Sequence, residues 1–314
     1  MWDLEKKICC AVGEGHADAV GAVCISQRQA TYQSKLAFMI SGAGDKILKR
    51  WPLPVHSFLI PAARGMSGEG PNEILKLAVS HNVRGHDKDI NTLTVSPNDS
   101  MAASGSQDKT IRLWRTSDLA PIASLSGHKR GIWKVVFSPV DRCLASSSGD
   151  RTVRLWSVVD YTCLRVFEGH TASVLTVKFA NKGMQLLSGA ADGLIRLWTI
   201  RSGECENTFD LHSDRVWALA VGVTNSASPS NSTDGMFFSG GSDSKLLVWH
   251  DATQSEETKR LDEVEQGLLI EQQLQNDIRN KRYDKVRTYT SLIFRSPLGT
   301  YSISYANTED PNHR

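Results

Sequence analysis

No apolar run in this sequence reaches the roughly 18 residues that a membrane helix needs, so no membrane span is expected. Charge of neither sign dominates. The chain has 36 Lys and Arg against 34 Asp and Glu, a formal net charge of +2 over 314 residues. That balance is too weak to make a nucleic-acid surface by charge alone. Cysteine is scarce: there are six, none in a Cys-x-x-Cys pair, and Cys9 and Cys10 are adjacent. This suits no common zinc pattern, so no metal is expected. The first residues lack a basic stretch followed by an apolar core, so no secretory signal is expected and the cysteines are expected as thiols. Cys9, Cys163 and Cys205 each lie seven residues before a recurring His, and are expected to be small buried hydrophobes. There is no Gly-x-Ser-x-Gly nucleophile elbow. No cofactor and no small-molecule substrate are expected.

What the chain does have is a repeat. Gly85-His86, Gly127-His128 and Gly169-His170 recur every 42 residues, and Leu211-His212 follows in step. Trp114, Trp156 and Trp198 stand 28 residues after His86, His128 and His170, and Asp108, Asp150 and Asp192 stand 22 after them. Ser104, Ser146 and Ser188 come four residues before each Asp. A later unit keeps the order His212, Ser239, Asp243, Trp249, with nine extra residues taken up by the polar stretch 225–233. An earlier one reads His16, Ser41, Asp45, Trp51, which makes five units. Between the markers lie short runs such as Lys134 to Phe137, Met101 to Ser104 and Thr110 to Trp114, separated by turns such as Ser96-Pro97-Asn98-Asp99. Four short strands per 42 residues predict an all-β fold.

Ser, His and Asp together invite a hydrolase reading. A catalytic triad, however, needs one nucleophile, one base and one acid in one place. Here the trio comes five times at matching offsets, always with a Trp. The indole offers one N–H, the serine accepts or donates, a neutral imidazole does one of each on its two nitrogens, and the carboxylate accepts. Such a set can satisfy a chain of buried polar groups, so the residues are expected to be structural and the chain is not expected to be an enzyme.

These markers resemble the Trp, Ser/Thr, His, Asp tetrad of WD-repeat β-propellers over roughly residues 2–250. Leu211 replaces the Gly of the last unit, and only Trp2-Asp3 keeps the Trp-Asp ending. The resemblance implies five visible blades that form part of a larger propeller. Met1-Trp2-Asp3 reads as the end of an earlier unit, and Leu4 to Val12 as its outer strand.

The expected organisation has three parts. Residues 1–251 form the propeller portion, with 52–84 as an inserted loop carrying Pro52, Pro54, Pro61 and Pro71. Residues 252–287 form an amphipathic helix, with Leu261, Val264, Leu268, Ile270, Leu274 and Ile278 at helical spacing and Thr253 to Glu256 as a capping box. It would begin a truncated helical domain. Residues 288–314 are expected to be a disordered tail.

Several segments carry a closer likeness. Gly85-His86-Asp87-Lys88-Asp89-Ile90-Asn91, Gly105-Ser106-Gln107-Asp108, Phe137-Ser138-Pro139-Val140-Asp141 and Phe167-Glu168-Gly169-His170 resemble the C-terminal part of the U3 small nucleolar RNA-associated protein 13 (transducin beta-like protein 3) family. The likeness covers about 85–287 and weakens across 1–84. It implies an interaction scaffold of the small-subunit processome (the U3 snoRNP) in ribosomal RNA processing, located in the nucleus and nucleolus. The implied partners are other processome proteins, with U3 small nucleolar RNA and pre-rRNA reached indirectly. The alternative is a WD-repeat adaptor in another complex, such as a ubiquitin-ligase substrate receptor. Lys88, Lys129 and Arg130 follow the histidines and are candidate contacts on one rim. Trp133 and Trp217, each five residues after a His, are either partner anchors or interblade packing. Alternation of Trp133 with Val135 and Phe137 favours packing.

Overall fold

The computed structural model describes residues 2–3, 8–27, 37–53, 75–222 and 236–249, together with a few between 265 and 276. Met1–His250 form one compact unit and Asp251–Arg314 another. All the described strands lie in the first. Apart from two short two-stranded pairs, they build five antiparallel blades, in each of which successive strands pair in order.

Blade 1 contains Val20–Ile25, Phe38–Ala43, Ile47–Pro52 and His81–Arg84. Blade 2 contains Ile90–Val95, Met101–Ser106, Ile111–Arg115 and Pro121–Leu125. Blade 3 contains Ile132–Phe137, Cys143–Ser148, Thr152–Ser157 and Cys163–Glu168. Blade 4 contains Val174–Ala180, Gln185–Ala190, Ile195–Thr199 and Cys205–Phe209. Blade 5 shows three strands among the described residues, Val216–Val221, Phe237–Gly241 and Leu246–Trp249. The first strands of successive blades lie side by side, so the chain advances one blade at a time around a common axis.

The core lies between blades. Ala103, Ile111, Leu113 and Leu125 of blade 2 pack on Ile132, Val135, Leu144 and Trp156 of blade 3. Val153, Leu155 and Phe167 of blade 3 meet Val174, Val177 and Trp198 of blade 4 in the same way. Phe38, Ile40 and Leu48 of blade 1 meet Trp114 of blade 2. Each of these Trp residues therefore packs against the preceding blade, and each is about 2% exposed. Burying a side chain of that size stabilises the fold by several kcal/mol, on the order of 3–5.

The second strands end in small residues, Ser-Gly-Ala, Ser-Gly-Ser, Ser-Ser-Ser, Ser-Gly-Ala and Ser-Gly-Gly, where the neighbouring blade lies close. A Cβ on Gly105 would sit 2.7 Å from Ile132 Cγ2 and 2.7 Å from Thr92 Cγ2. Ser147 takes the matching place in blade 3. Its hydroxyl is buried with no hydrogen-bond partner.

The structure changes several of the expectations above. The stretch 52–84 is not one loop, because Leu75–Leu77 and His81–Arg84 are strands. The outer strand of a blade directly precedes the next Gly-His, as Pro121–Leu125 does before Gly127. His81–Arg84 fills that role for blade 1, although only Val83 in it is apolar. Residues 54–74 lie outside the described ones. Leu4 to Val12 is not one strand either. Ile8–Cys9 pairs antiparallel with Trp2–Asp3, while Ala11–Gly13 pairs parallel with Leu75–Leu77. Cys163 is exposed and Cys205 half-buried, because outer strands are covered on one side only, and Cys9 is half-buried in its two-stranded pair. Cys10 and Cys143 are the buried thiols. The helix expected over 252–287 falls mostly outside the described residues. Glu265, Leu268, Leu269, Gln272, Gln273, Gln275 and Asn276 are helical and exposed, and none of them shows an apolar face packed away. The tail 288–314 lies wholly outside the described residues.

Candidate functional site

Each blade brings its Trp, Ser, His and Asp together. In blade 2, Trp114 Nε1 donates to Ser104 Oγ at 2.8 Å, Ser104 Oγ lies 2.6 Å from His86 Nε2, and His86 Nδ1 lies 2.8 Å from Asp108. In blade 3, Trp156 to Ser146, Ser146 to His128 and His128 to Asp150 measure 2.8, 2.7 and 2.8 Å. Trp198, Ser188, His170 and Asp192 repeat this at 2.8, 2.8 and 3.1 Å. Trp51, Ser41, His16 and Asp45 do so at 2.8, 2.7 and 2.8 Å. Trp249, Ser239, His212 and Asp243 do so at 2.9, 2.8 and 3.0 Å.

With a neutral imidazole the donors run one way along the chain. Indole N–H donates to serine, serine O–H donates to Nε2, and Nδ1–H donates to the carboxylate. The carboxylate then ties two backbone segments together. Asp108 accepts from the amides of Asp87 and Thr110, and Asp150 from those of Lys129 and Thr152. Burial pulls the Asp108, Asp150 and Asp192 carboxyls upward. Hydrogen bonds from His86, His128 and His170 outweigh it, with further bonds from the turns, and leave all three well below the ordinary carboxylate range. The residue after each Asp completes a tight turn with positive φ: Lys46 (67°), Lys109 (74°), Arg151 (71°), Gly193 (81°) and Ser244 (61°).

Chemically, the set offers a substrate nothing. Ser104, Ser146, Ser188 and Ser239 are 0% exposed, and each hydroxyl already accepts from an indole. A nucleophile needs an open approach and a free lone pair. Among the described residues no group of three or more His, Cys, Asp or Glu is placed to hold a metal.

The surface offers more. The inner strands carry a bulge between Ile132 and Lys134, between Val174 and Thr176, and between Val216 and Ala218. A bulged residue leaves the strand's alternation and is re-aimed. The bulged residues are Trp133, Leu175 and Trp217, 42 apart. Trp133 is therefore not packed in line with Val135, as alternation alone predicts. It is half-buried, and Trp217 is 50% exposed with its Nε1 donating to Ser242 Oγ at 2.7 Å. In blade 2 the same slot holds Asn91, whose amide donates to the Ile132 carbonyl at 2.7 Å.

Trp133, Leu175 and Trp217 line one depression of about 700 Å³ across blades 3 to 5, with Lys129, Arg130, Arg151 and Arg215 also in its lining. Four of the five surface candidates thus meet in one place. The fifth, Lys88, is exposed on blade 2 and is not in that lining. Sequence reasoning missed Leu175, Arg151 and Arg215. The signal for the first was its spacing of five after His170. For Arg151 it was its place directly after the turn Asp.

Four stretches, 78–115, 119–157, 161–199 and 203–250, match the family described as WD domain, G-beta repeat, and together span just over half of the chain. Each begins with the outer strand of one blade and ends with the third strand of the next, so the repeats interlock. Blade 1, outside these stretches except for its outer strand, has the same four-residue network. The chain is 40% identical over 117 residues to transducin beta-like protein 3 of Rattus norvegicus, which is 36% of this chain and 13% of that protein. Against transducin beta-like protein 3 of Homo sapiens it is 38% identical over 117 residues, again 36% of this chain and 13% of that protein. Against U3 small nucleolar RNA-associated protein 13 of Saccharomyces cerevisiae it is 36% identical over 100 residues, 32% of this chain and 11% of that one. The matched part is therefore a small fraction of each relative's length.

Proposed function

The chain belongs to the WD-repeat family, and on that premise we propose that it is an interaction scaffold of the small-subunit processome, acting in ribosomal RNA precursor processing in the nucleolus. The observation that carries this reading is the likeness to a yeast protein named for its association with U3 small nucleolar RNA, at 36% identity over 100 residues. The geometry supports a scaffold in a different way. The catalytic-looking residues are spent inside the blades, and what is left for partners is surface. Its partners are other processome proteins, and U3 small nucleolar RNA and pre-rRNA are reached through them. Residues 1–251 serve as the propeller portion. Residues 252–287 continue as a helix toward further partners, and 288–314 as a tail. The tetrads hold the blades, while Lys88, Lys129, Arg130, Trp133 and Trp217 are the contact surface.

Affinity purification of the tagged protein from cells tests this. Recovery of processome proteins with U3 small nucleolar RNA is the expected result. Recovery of a cullin complex without them overturns it in favour of a ubiquitin-ligase adaptor.

A further inference from the structure

The depression across blades 3 to 5 has a composition that selects its occupant. Trp133 and Trp217 form aromatic surface, and Leu175 lies between them in sequence register, itself only 8% exposed. An apolar floor flanked by indoles rewards an aliphatic or aromatic side chain pushed into it. Lys129, Arg130, Arg151 and Arg215 are all exposed around it. The carboxylate in the same lining, Asp150, is held by His128, by the Lys129 amide and by the turn amide of Thr152; it stays ionised and offsets one of the four cations, which leaves the rim net positive. Four cations around an apolar centre complement a segment with the opposite layout.

We propose that this depression binds a linear acidic peptide segment of a partner protein, with one large apolar residue seated between Trp133 and Trp217 and Asp or Glu residues on either side facing Lys129, Arg130, Arg151 and Arg215. The proposal rests on the reading of the chain as an interaction scaffold and names the partner chemistry of that surface. A volume of about 700 Å³ lies in the range of ligand-binding clefts and admits an apolar side chain together with its neighbours in a short segment. RNA is the less favoured occupant. It needs a basic track several phosphates long, and the chain's formal net charge of +2 supplies little field to hold one. All five inner strands carry the bulge, and the residue in it confines the site to blades 3 to 5. In blade 1 the slot five after His16 is Gly21, and in blade 2 Asn91 is turned to the Ile132 carbonyl, so neither offers an anchor surface.

Selection of a random peptide display library against the full chain tests the proposal. Enriched peptides should carry Leu, Phe or Trp flanked by Asp and Glu. Their affinity, read by fluorescence anisotropy, should fall at least tenfold for Trp217→Ala and for Arg215→Glu, and should weaken with added salt. Both residues are exposed, so an unchanged thermal midpoint will show that these variants fold. Four results would overturn the proposal: no enrichment over the Trp217→Ala protein; enrichment of basic peptides; affinity unchanged in both variants; or a labelled oligouridine bound more tightly than the enriched peptides. Peptide binding together with purification into a non-ribosomal complex would sink the processome reading and leave this one standing. Processome recovery without peptide binding would do the reverse.

Discussion

Two adjacent serines in the same strand should respond to the same substitution in opposite ways, one with a large loss and the other with none. Ser146 and Ser147 are both 0% exposed, in the strand Cys143–Ser148. Ser146 Oγ is 2.7 Å from His128 Nε2 and 2.8 Å from Trp156 Nε1. Removing it in Ser146→Ala strands an indole N–H and an imidazole nitrogen away from water. Each buried group left unpaired costs about 1–3 kcal/mol, so the loss should be roughly 2–5 kcal/mol. For a domain of this size that is on the order of 5–15 °C in melting midpoint. Ser147 Oγ is buried and bonds to nothing. Ser147→Ala removes an unsatisfied hydroxyl and leaves a methyl in the same space. It should be neutral or stabilising, by up to about 1 kcal/mol. Urea denaturation of the two variants beside the parent protein reads both values. The double variant Ser146→Ala with Trp156→Phe should cost less than the sum of the two single variants, because the donor orphaned by the first is removed by the second. Equal destabilisation by the two serine variants would refute the hydrogen-bonded account of the blades.

Acid should weaken the fold. The Asp108, Asp150 and Asp192 carboxyls sit lower when folded than their unfolded value of about 3.9, so the stability they supply is full above roughly pH 5 and is lost as pH falls toward the folded values. A melting midpoint unchanged between about pH 5 and pH 3 would contradict this, and Asp150→Asn should flatten that limb. Gly127→Ala should cost about 1–3 kcal/mol by thermal melting. Gly127 has φ +151°, and an added Cβ would lie 2.7 Å from Arg154 Nη1, the guanidinium that covers the Trp156 ring at 6.0 Å. Trp217→Ala should shift stability by less than about 1 kcal/mol while Trp156→Ala costs several, since Trp217 is 50% exposed and Trp156 is 2% exposed.

The fivefold polar network was legible in the sequence because it recurs at fixed offsets. Repetition identified residues that no single copy would have marked. The departure at Leu211 also has a physical reason now. Its blade has Leu247 where blades 3 and 4 have Arg154 and Arg196, so no guanidinium lies over the site and glycine is not required there. The surface was harder to read. Period-two alternation puts Trp133 on the face of Val135, and only the bulge beside it turns the indole outward. A bulge adds one residue without a composition of its own, so it shows only as a slot at the same distance from each His, filled here by Gly21, Asn91, Trp133, Leu175 and Trp217. The outer strand His81–Arg84 was hidden for a related reason: its place is fixed by its neighbours in blade 1, not by apolar residues of its own.

Depletion of the endogenous protein, followed by Northern analysis of ribosomal RNA precursors, tests the processome scaffold most directly. Accumulation of unprocessed small-subunit precursor, reversed by re-expressing the protein, is the predicted result. Normal precursor levels after full depletion, with large- and small-subunit rRNA made at the usual ratio, would contradict it.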